Sequence, residues 1–196
     1  MDKWRFTTEN EMLALRDQYE KYVNECKLET PEQVAELFRK YTALIWDFKL
    51  VGYCHKFYHE STKVHLVNGA ENQGSGAAVS GTLGFQAAVP DLKFRFVDIF
   101  AEEDGKGGYK FAQAVYYDGN CSGHSNMGAP SYNDLADDNK YIYGLCWVDV
   151  RKLDGEWKQA EEWLIRDSLA MNEVQKRKEK QAEELVPTEE KNNDSI

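Results

Sequence analysis

The fold of this chain is decided by the stretch Trp147-Val-Asp-Val-Arg-Lys-Leu-Asp-Gly-Glu-Trp-Lys-Gln-Ala-Glu-Glu-Trp-Leu-Ile-Arg-Asp167. Strand-like runs flank Asp154-Gly155, a dipeptide that adopts positive φ at low cost, so we predict a tight β-hairpin. In the second run Trp163, Ile165 and Asp167 recur at period two and point to one face. A buried carboxylate is costly unless it is paired or neutralised. A proton-transfer role for Asp167 is one reason to keep it there.

Composition limits the classes of function. The 196 residues, 42% hydrophobic and 13% aromatic, suffice for one sizeable core. A formal charge of −10 argues against nucleic acid as a partner, because phosphate binding needs clustered Lys and Arg. A polar amino end and the lack of a long apolar run predict neither a signal peptide nor a membrane span. Four scattered cysteines are then expected to be free thiols, and a cytoplasmic location is expected.

The first half of the chain carries helix signals. Apolar residues at spacings of three and four predict an amphipathic helix over residues 8–27. Thr30, Pro31 and Gln33 form a helix start with a capping box, and this second helix is predicted to reach at least Trp46. Residues 51–58 fit either a short helix or the approach to a strand. A third helix is predicted over residues 77–89, which are small and apolar and precede Pro90.

Strand signals follow the helices. We predict strands at residues 63–67, 92–100, 109–117, 141–153 and 156–167, and a long loop over residues 118–139. Hairpin-connected strands after helices indicate an α+β fold with an antiparallel sheet covered on one face. Three parts are expected: a helical extension (1–30), the α+β domain (31–174) and a charged, frayed or disordered tail (175–196).

The chain resembles the SnoaL-like branch of the nuclear transport factor 2-like superfamily. The matching segments are Leu44-Ile-Trp-Asp-Phe, Gly76-Ala-Ala-Val, Phe85-Gln-Ala-Ala-Val-Pro-Asp-Leu-Lys-Phe, Gly119-Asn-Cys-Ser-Gly, Gly128-Ala-Pro, Leu153-Asp-Gly-Glu-Trp and Glu162-Trp-Leu-Ile-Arg-Asp. They lie between residues 33 and 174. The resemblance implies a cone-shaped curved antiparallel sheet wrapped around the N-terminal helices, enclosing a pocket for a small hydrophobic or aromatic ligand.

What the resemblance implies for function is cofactor-free and metal-free acid/base chemistry on a small, largely apolar carbonyl compound. Cyclase, isomerase and dehydratase reactions all fit, with Asp167 matching the family's acid/base carboxylate. A homodimer formed through the exposed sheet face is also implied. Two alternatives stay open: the fold also serves non-catalytic binding or assembly modules, and Asp167 can instead cap a helix that follows it.

Two loop residues are further candidates. Many family members have histidine where this chain has Cys121, and His124 lies three residues on. We therefore assign His124 a catalytic role in polarising the substrate oxygen, and Cys121 a place in substrate binding. A Cys–His nucleophile pair is the alternative interpretation, which requires facing geometry and an activated thiol.

The remaining candidates are pocket-lining residues. Alternation along its strand places His65 on one face, opposite to its neighbours, and we expect it to line the pocket. We place Tyr117 in substrate binding, and one of Tyr53, Tyr58, Tyr116, Tyr117 and Tyr143 is expected to donate a hydrogen bond to an enolate oxygen. The expected walls are Trp46, Trp147 and Trp163. A zinc site using His55, His59 and His65 is an alternative suggested by the four-residue spacing of the first two.

Overall fold

The computed structural model describes residues 8–67, 69–124, 142–167, 169–171 and 173. The elements in chain order are α1 (Glu9–Glu25), α2 (Pro31–Trp46), a 3-10 turn (Val51–Tyr53), α3 (Cys54–Phe57), β1 (Tyr58–Leu66), β2 (Glu71–Gln73), α4 (Gly74–Ala88), β3 (Lys93–Glu103), β4 (Tyr109–Asp118), β5 (Ile142–Leu153) and β6 (Glu156–Arg166). The predicted α+β class is confirmed. Most of the predicted loop and the whole predicted tail lie outside the described residues.

The first two helices begin where side chains satisfy their free backbone N–H groups. Thr8 and Glu11 form a capping box at the start of α1. Thr30 and Gln33 form a second one at the start of α2, where Pro31 occupies the first turn. Because a capping box satisfies two orphan donors reciprocally, both helices have defined starting points. The predicted start of α2 is confirmed.

The sheet is mixed and not fully antiparallel. Its six strands lie in the order β2-β1-β6-β5-β4-β3, and the sheet is curved and unclosed. Strands β3 to β6 form antiparallel neighbours, as predicted. Strand β1 pairs with β6 in parallel, with His65 opposite Trp163. The expected all-antiparallel sheet is therefore wrong at this pair. A parallel pair needs a long connection, and here α4 and four strands lie between the two partners.

Two element boundaries also differ from the sequence prediction. Strand β1 begins at Tyr58 instead of residue 63, directly after the short helix α3. Helix α4 begins at Gly74 instead of residue 77. Gly74 has a φ of +83°, so it turns the chain from β2 straight into the helix. Strand β2 was not predicted, because its Glu-Asn-Gln sequence is polar and lacks β-branched or aromatic residues.

Helix α2 fills the concave side of the sheet with aromatic side chains. Phe38 stacks on Phe111 of β4 with ring centroids 4.2 Å apart. Trp46 stacks on Phe94 of β3 at 4.5 Å. Both helix residues are buried, and paired aromatic rings of this size dominate the energetics of a core. The helix therefore fixes the inner face of the sheet, on which the site lies.

No helix in the described part of the chain is both long and apolar enough to cross a membrane.

Candidate functional site

A cavity of about 230 Å³ lies between α2, α4 and the concave face of the sheet. Its walls are aromatic and aliphatic, and a small set of polar side chains converges in it: Tyr41, Thr42, Tyr58, Gln113, Tyr117, Gln159, Glu162 and Arg166. An apolar cavity with a few convergent polar groups is the usual form of a small-molecule site. We call this cavity the chamber.

A β-bulge decides which residues of β6 face the chamber. In the β5–β6 hairpin Val150 pairs with Gln159, whereas the next pair is Asp149 with Glu161, so Ala160 has no partner. One extra residue in a strand reverses the alternation of its side chains. Beyond the bulge the chamber is therefore lined by Glu162, Leu164 and Arg166. The odd-numbered residues 161 to 167 face the other side.

Glu162 supplies a carboxylate to the chamber. Its side chain is 6% exposed. The Tyr58 hydroxyl donates a 2.6 Å hydrogen bond to Oε2. The Cys146 thiol donates to Oε1 with the sulfur 3.0 Å away. Because each carboxylate oxygen accepts a bond from a protein donor, the charged form is compatible with burial.

The two donors on Glu162 stay protonated at neutral pH. Burial, and next the charge of Glu162, raises the pKa of the Cys146 thiol well above its ordinary value. The same two causes, in the same order, raise the pKa of Tyr58. Because the pKa of each donor is raised, the thiol and the hydroxyl keep their protons, and the proton acceptor left in the cluster is Glu162.

Arg166 places a positive charge at another part of the chamber wall. Its guanidinium carbon lies 5.8 Å from the ring centroid of Trp46 and 5.2 Å from that of Phe85. Burial raises the pKa of the neighbouring Tyr117, and the charge of Arg166 opposes that rise. Gly144 makes room for Tyr117, because a Cβ there would lie 2.3 Å from the tyrosine hydroxyl oxygen. The chamber thus has an acidic cluster and a cationic one.

Two of the sequence-predicted site residues line the chamber. Trp46 and Tyr117 both contribute to its wall and are 7% and 1% exposed respectively. Helix α2 holds the indole, and β4 places the phenol on the inner face of the sheet. Their predicted positions agree with the structure, while a contact with substrate stays a prediction.

Three predicted pocket residues lie on the outer face of the sheet instead. Trp147 and Trp163 are paired across β5 and β6 and each is 38% exposed. His65 stacks on Trp163 at 5.2 Å between ring centroids. Its two ring nitrogens lie 2.9 Å and 2.7 Å from carboxylate oxygens of Glu71 and Glu161. The expected orientation of these three side chains into a pocket is wrong, because the curvature places the opposite face of the sheet on α2.

Asp167 also faces away from the chamber. It does share a face with Trp163 and Ile165, as the alternation predicts, but this face is the outer one. Asp167 is exposed, and its Oδ1 accepts a 2.9 Å hydrogen bond from the backbone N–H of Ala170. This bond is the helix-capping role that the sequence left open. The expectation that Asp167 lies in the pocket is wrong, since the bulge places Glu162 there.

The two loop candidates do not line the chamber. Cys121 is 2% exposed and packs within the hydrophobic core. His124 is exposed, and residue 125 is the first of a stretch outside the described part. Their functional roles stay predictions that the chamber geometry does not support.

The three histidines considered for a metal site occupy separate places. His55 contacts Ser75 at 3.0 Å, His59 contacts Asp154 at 3.1 Å, and His65 lies between its two glutamates. Within the described ranges, no three His, Cys, Asp or Glu side chains converge as metal ligands do.

Sequence reasoning missed Glu162, Arg166 and Cys146, whereas Tyr58 was among the tyrosines considered as hydrogen-bond donors. One signal for the missed residues was available in β5, whose even-numbered residues are Ile142, Gly144, Cys146, Val148 and Val150. This uncharged set indicates the core face. The two-residue turn at Asp154-Gly155 then predicts which residues of β6 lie opposite those of β5, provided that neither strand contains a bulge. An alanine in a strand carries no bulge signature, so the reversal at Ala160 could not be found this way.

Comparison with known proteins identifies the fold. No protein-family model matches the chain, and no curated protein matches its sequence. A protein from a Jannaschia species that carries the name SnoaL-like polyketide cyclase superposes with a TM-score of 0.55 at 12% identity, over 76% of this chain and 96% of its own.

Two other solved structures are similar to the same extent. Aln2 from a Streptomyces species gives a TM-score of 0.52 at 15% identity, over 75% of this chain and 99% of its own. The hexachlorocyclohexane dehydrochlorinase LinA-type3 from Novosphingobium barchaimii gives 0.53 at 10% identity, over 82% and 91%. Identities this low establish a shared fold and leave function to the site. The chain therefore shares the fold of these solved structures, one of which carries the SnoaL-like name.

Proposed function

We propose that this protein is an acid/base enzyme that moves a proton within a small carbonyl compound bound in the chamber. The observation that carries the proposal is Glu162, a buried carboxylate that lines an otherwise largely apolar cavity and is oriented by Tyr58 and Cys146. The similar solved structures support the proposal, since two of the proteins named above are called a polyketide cyclase and a dehydrochlorinase.

The proposed step is transfer of a proton from carbon to Glu162 and back. The carboxylate takes a proton from the carbon next to the ligand carbonyl, giving a carboxylic acid and an enolate. The hydroxyl of Tyr117, which stays protonated, donates a hydrogen bond to the enolate oxygen. Glu162 then returns the proton to the ligand. Aldol cyclisation, isomerisation and elimination all begin with this removal of a proton, and electrons and atoms balance without a cofactor.

The proposal assigns the acid/base role to Glu162 and not to Asp167 or His124. Asp167 is exposed and caps a turn, and His124 is exposed at the edge of the described part. A carboxylate in water excludes no solvent from the reacting atoms, whereas one inside a cavity can lie within hydrogen-bond reach of a bound ligand.

Exchange of hydrogen for deuterium tests the proposal without knowledge of the product. One-ring ketones and keto acids are incubated in D₂O with the protein, and loss of the proton next to the carbonyl is followed by NMR. We expect wild-type protein to accelerate exchange and Glu162→Gln to lower the rate by about 10²–10⁴-fold. Glu161→Gln is the matched control, because Glu161 is the neighbouring residue and contacts His65 on the outer face.

A non-catalytic ligand-binding module is the second candidate. It is favoured by one observation: both oxygens of Glu162 already accept hydrogen bonds from the protein, which satisfies the buried carboxylate without a reaction. In that case the same compounds would bind to wild-type protein, and the protein would not accelerate exchange.

We also propose that the chain forms a homodimer through the outer face of the sheet. Large apolar side chains from β5 and β6 lie there, each 38–54% exposed: Tyr143, Leu145, Trp147, Trp163 and Ile165. Cross-strand pairing makes them contiguous, and contiguous apolar patches of this kind mark interaction sites. A second copy fits because a sheet face can pack on itself about a two-fold axis.

A cytoplasmic location is likewise proposed. All four cysteines, Cys26, Cys54, Cys121 and Cys146, are free, and free thiols are typical of reducing compartments. Fractionation of cells with an antibody against the protein tests this; recovery in an oxidising compartment would contradict it.

A further inference from the structure

We infer that the ligand of the chamber carries a carboxylate and that Arg166 binds it. The inference rests on the proposed function only for the chemistry at the other end of the ligand. Binding of a carboxylate by Arg166 does not depend on that function. Arg166 lines the chamber, and its Nε is buried with no hydrogen-bond partner among the described atoms. A buried guanidinium N–H without an acceptor is costly.

Among the described residues, no carboxylate of the protein forms an ion pair with Arg166. The contacts of Arg166 are the ring faces of Trp46 and Phe85 and a side-chain hydrogen bond to the hydroxyl oxygen of Tyr117. Arginine N–H groups that are removed from solvent are normally paired with an acceptor, and the Nε–H of Arg166 is not. Arg95, for comparison, is bound by Asp118 with 2.7 Å between Nε and Oδ2.

The geometry favours a planar anion. Aromatic side chains stabilise the guanidinium through cation–π attraction and hold it in place. They accept no in-plane hydrogen bonds, so the buried Nε–H of the guanidinium stays without an acceptor. A fork of N–H donors matches a carboxylate, which it binds through two parallel hydrogen bonds.

Glu162 does not prevent an anion from binding at Arg166. The two residues are four positions apart on β6, which corresponds to roughly 13 Å between their Cα atoms. Coulomb attraction at contact distance to Arg166 exceeds repulsion from the more distant Glu162, because the interaction falls with separation. The same spacing orients the ligand: its carboxylate lies at Arg166 and its opposite end points toward Glu162.

The volume of the chamber sets the size of the ligand. A cavity of about 150 Å³ in another protein binds benzene, and this chamber measures about 230 Å³. One ring with a short side chain therefore fits. The substrate class that follows is a one-ring or similarly small keto acid, whose carboxylate binds Arg166 and whose acidic C–H group faces Glu162.

The test compares two probes of almost the same shape by calorimetry: 3-phenylpropanoate and its neutral amide, 3-phenylpropanamide. Neither has a ketone, so neither reports on catalysis. We expect wild-type protein to bind the carboxylate about tenfold to a hundredfold more tightly, as for a hydrogen bond to a charged group. Arg166→Met, which keeps an unbranched side chain, is expected to lose this preference, and Arg166→Lys to keep part of it.

The inference would be overturned by wild-type protein that binds the two probes equally or binds neither. It would also be overturned if a folded Arg166→Met, checked by circular dichroism, retained the preference. If Arg166→Met does not fold, the inference is tested by the preference of wild-type protein for the carboxylate probe and by the smaller preference expected of Arg166→Lys. Glu162→Gln separates the two proposals: it should bind the carboxylate at least as well as wild type. If the protein prefers the carboxylate probe but does not accelerate deuterium exchange, only the proposed function is contradicted. If it accelerates exchange of neutral ketones but does not prefer the carboxylate probe, only this inference is contradicted.

Discussion

The hydroxyl of Tyr58 is the residue-scale determinant of how Glu162 is held. It donates a 2.6 Å bond to the carboxylate, and hydrogen bonds to charged groups contribute about 1.5–3 kcal/mol. We expect Tyr58→Phe to lower the free energy of unfolding by about 2 kcal/mol in urea titrations. Tyr143→Phe, on the exposed outer face, is the control and should stay within about 0.5 kcal/mol of wild type. Equal losses in both variants would contradict this role of Tyr58.

The thiol of Cys146 predicts a pH dependence of stability. Its pKa is raised above the ordinary value of 9.0, first by burial and second by Glu162. Above about pH 9 the unfolded chain loses this proton while the folded chain keeps it, so the stabilisation present below pH 9 declines as pH rises.

Cys146→Ser isolates that contribution. The serine hydroxyl still donates to Glu162 but does not titrate in this range. We expect the unfolding free energy of the variant to fall less steeply between about pH 9 and pH 10, by up to about 1.4 kcal/mol per pH unit. If the unfolding free energies of the two proteins fell in parallel with pH, the pKa of the Cys146 thiol would not be raised by folding. The buried tyrosines contribute equally to both.

At the scale of elements, the β5–β6 hairpin depends on its turn. Gly155 has a φ of +83°, and a Cβ there would meet nothing within 4 Å. The penalty for Gly155→Ala is therefore conformational, and we expect a loss of about 1 kcal/mol in unfolding free energy. Gly52→Ala is the matched control, with equally open space and no positive φ. A loss as large at Gly52 would contradict the explanation.

The same hairpin shows what sequence can and cannot predict. Asp154-Gly155 predicted the turn correctly, because few dipeptides adopt its backbone conformation cheaply. Period two also grouped Trp163 and Asp167 correctly on one face. The choice of inner face failed, since it depends on the unpaired Ala160 and on which side α2 packs. Both are properties of the assembled sheet and have no local signature.

At the scale of the whole molecule, the outer sheet face predicts the assembly state. Leu145 lies at its centre, opposite Ile165 on β6 and Ala114 on β4. We expect light scattering to give twice the chain mass of 22.6 kDa for wild type and the single mass for Leu145→Glu, because burying an unpaired charge opposes association. Leu83→Glu, on an exposed position of α4, should leave the dimer intact. A monomeric wild type would contradict the proposed interface.

The class of the fold was predictable because helix caps, the hairpin turn and the order of elements are local signals. Thr30 and Gln33 marked the start of α2 from sequence alone. The parallel pairing of β1 with β6 and the chamber itself were not predictable in this way. They bring together residues as distant as Tyr58 and Glu162, whose contact spans 104 positions.

The central claim is that the reacting carboxylate is the one inside the chamber. Deuterium exchange of a one-ring keto acid, measured side by side for Glu162→Gln and Asp167→Asn, tests it most directly. We predict that Glu162→Gln loses about 10²–10⁴-fold in rate and that Asp167→Asn stays close to wild type. Loss of exchange in Asp167→Asn with full activity in Glu162→Gln would contradict the account.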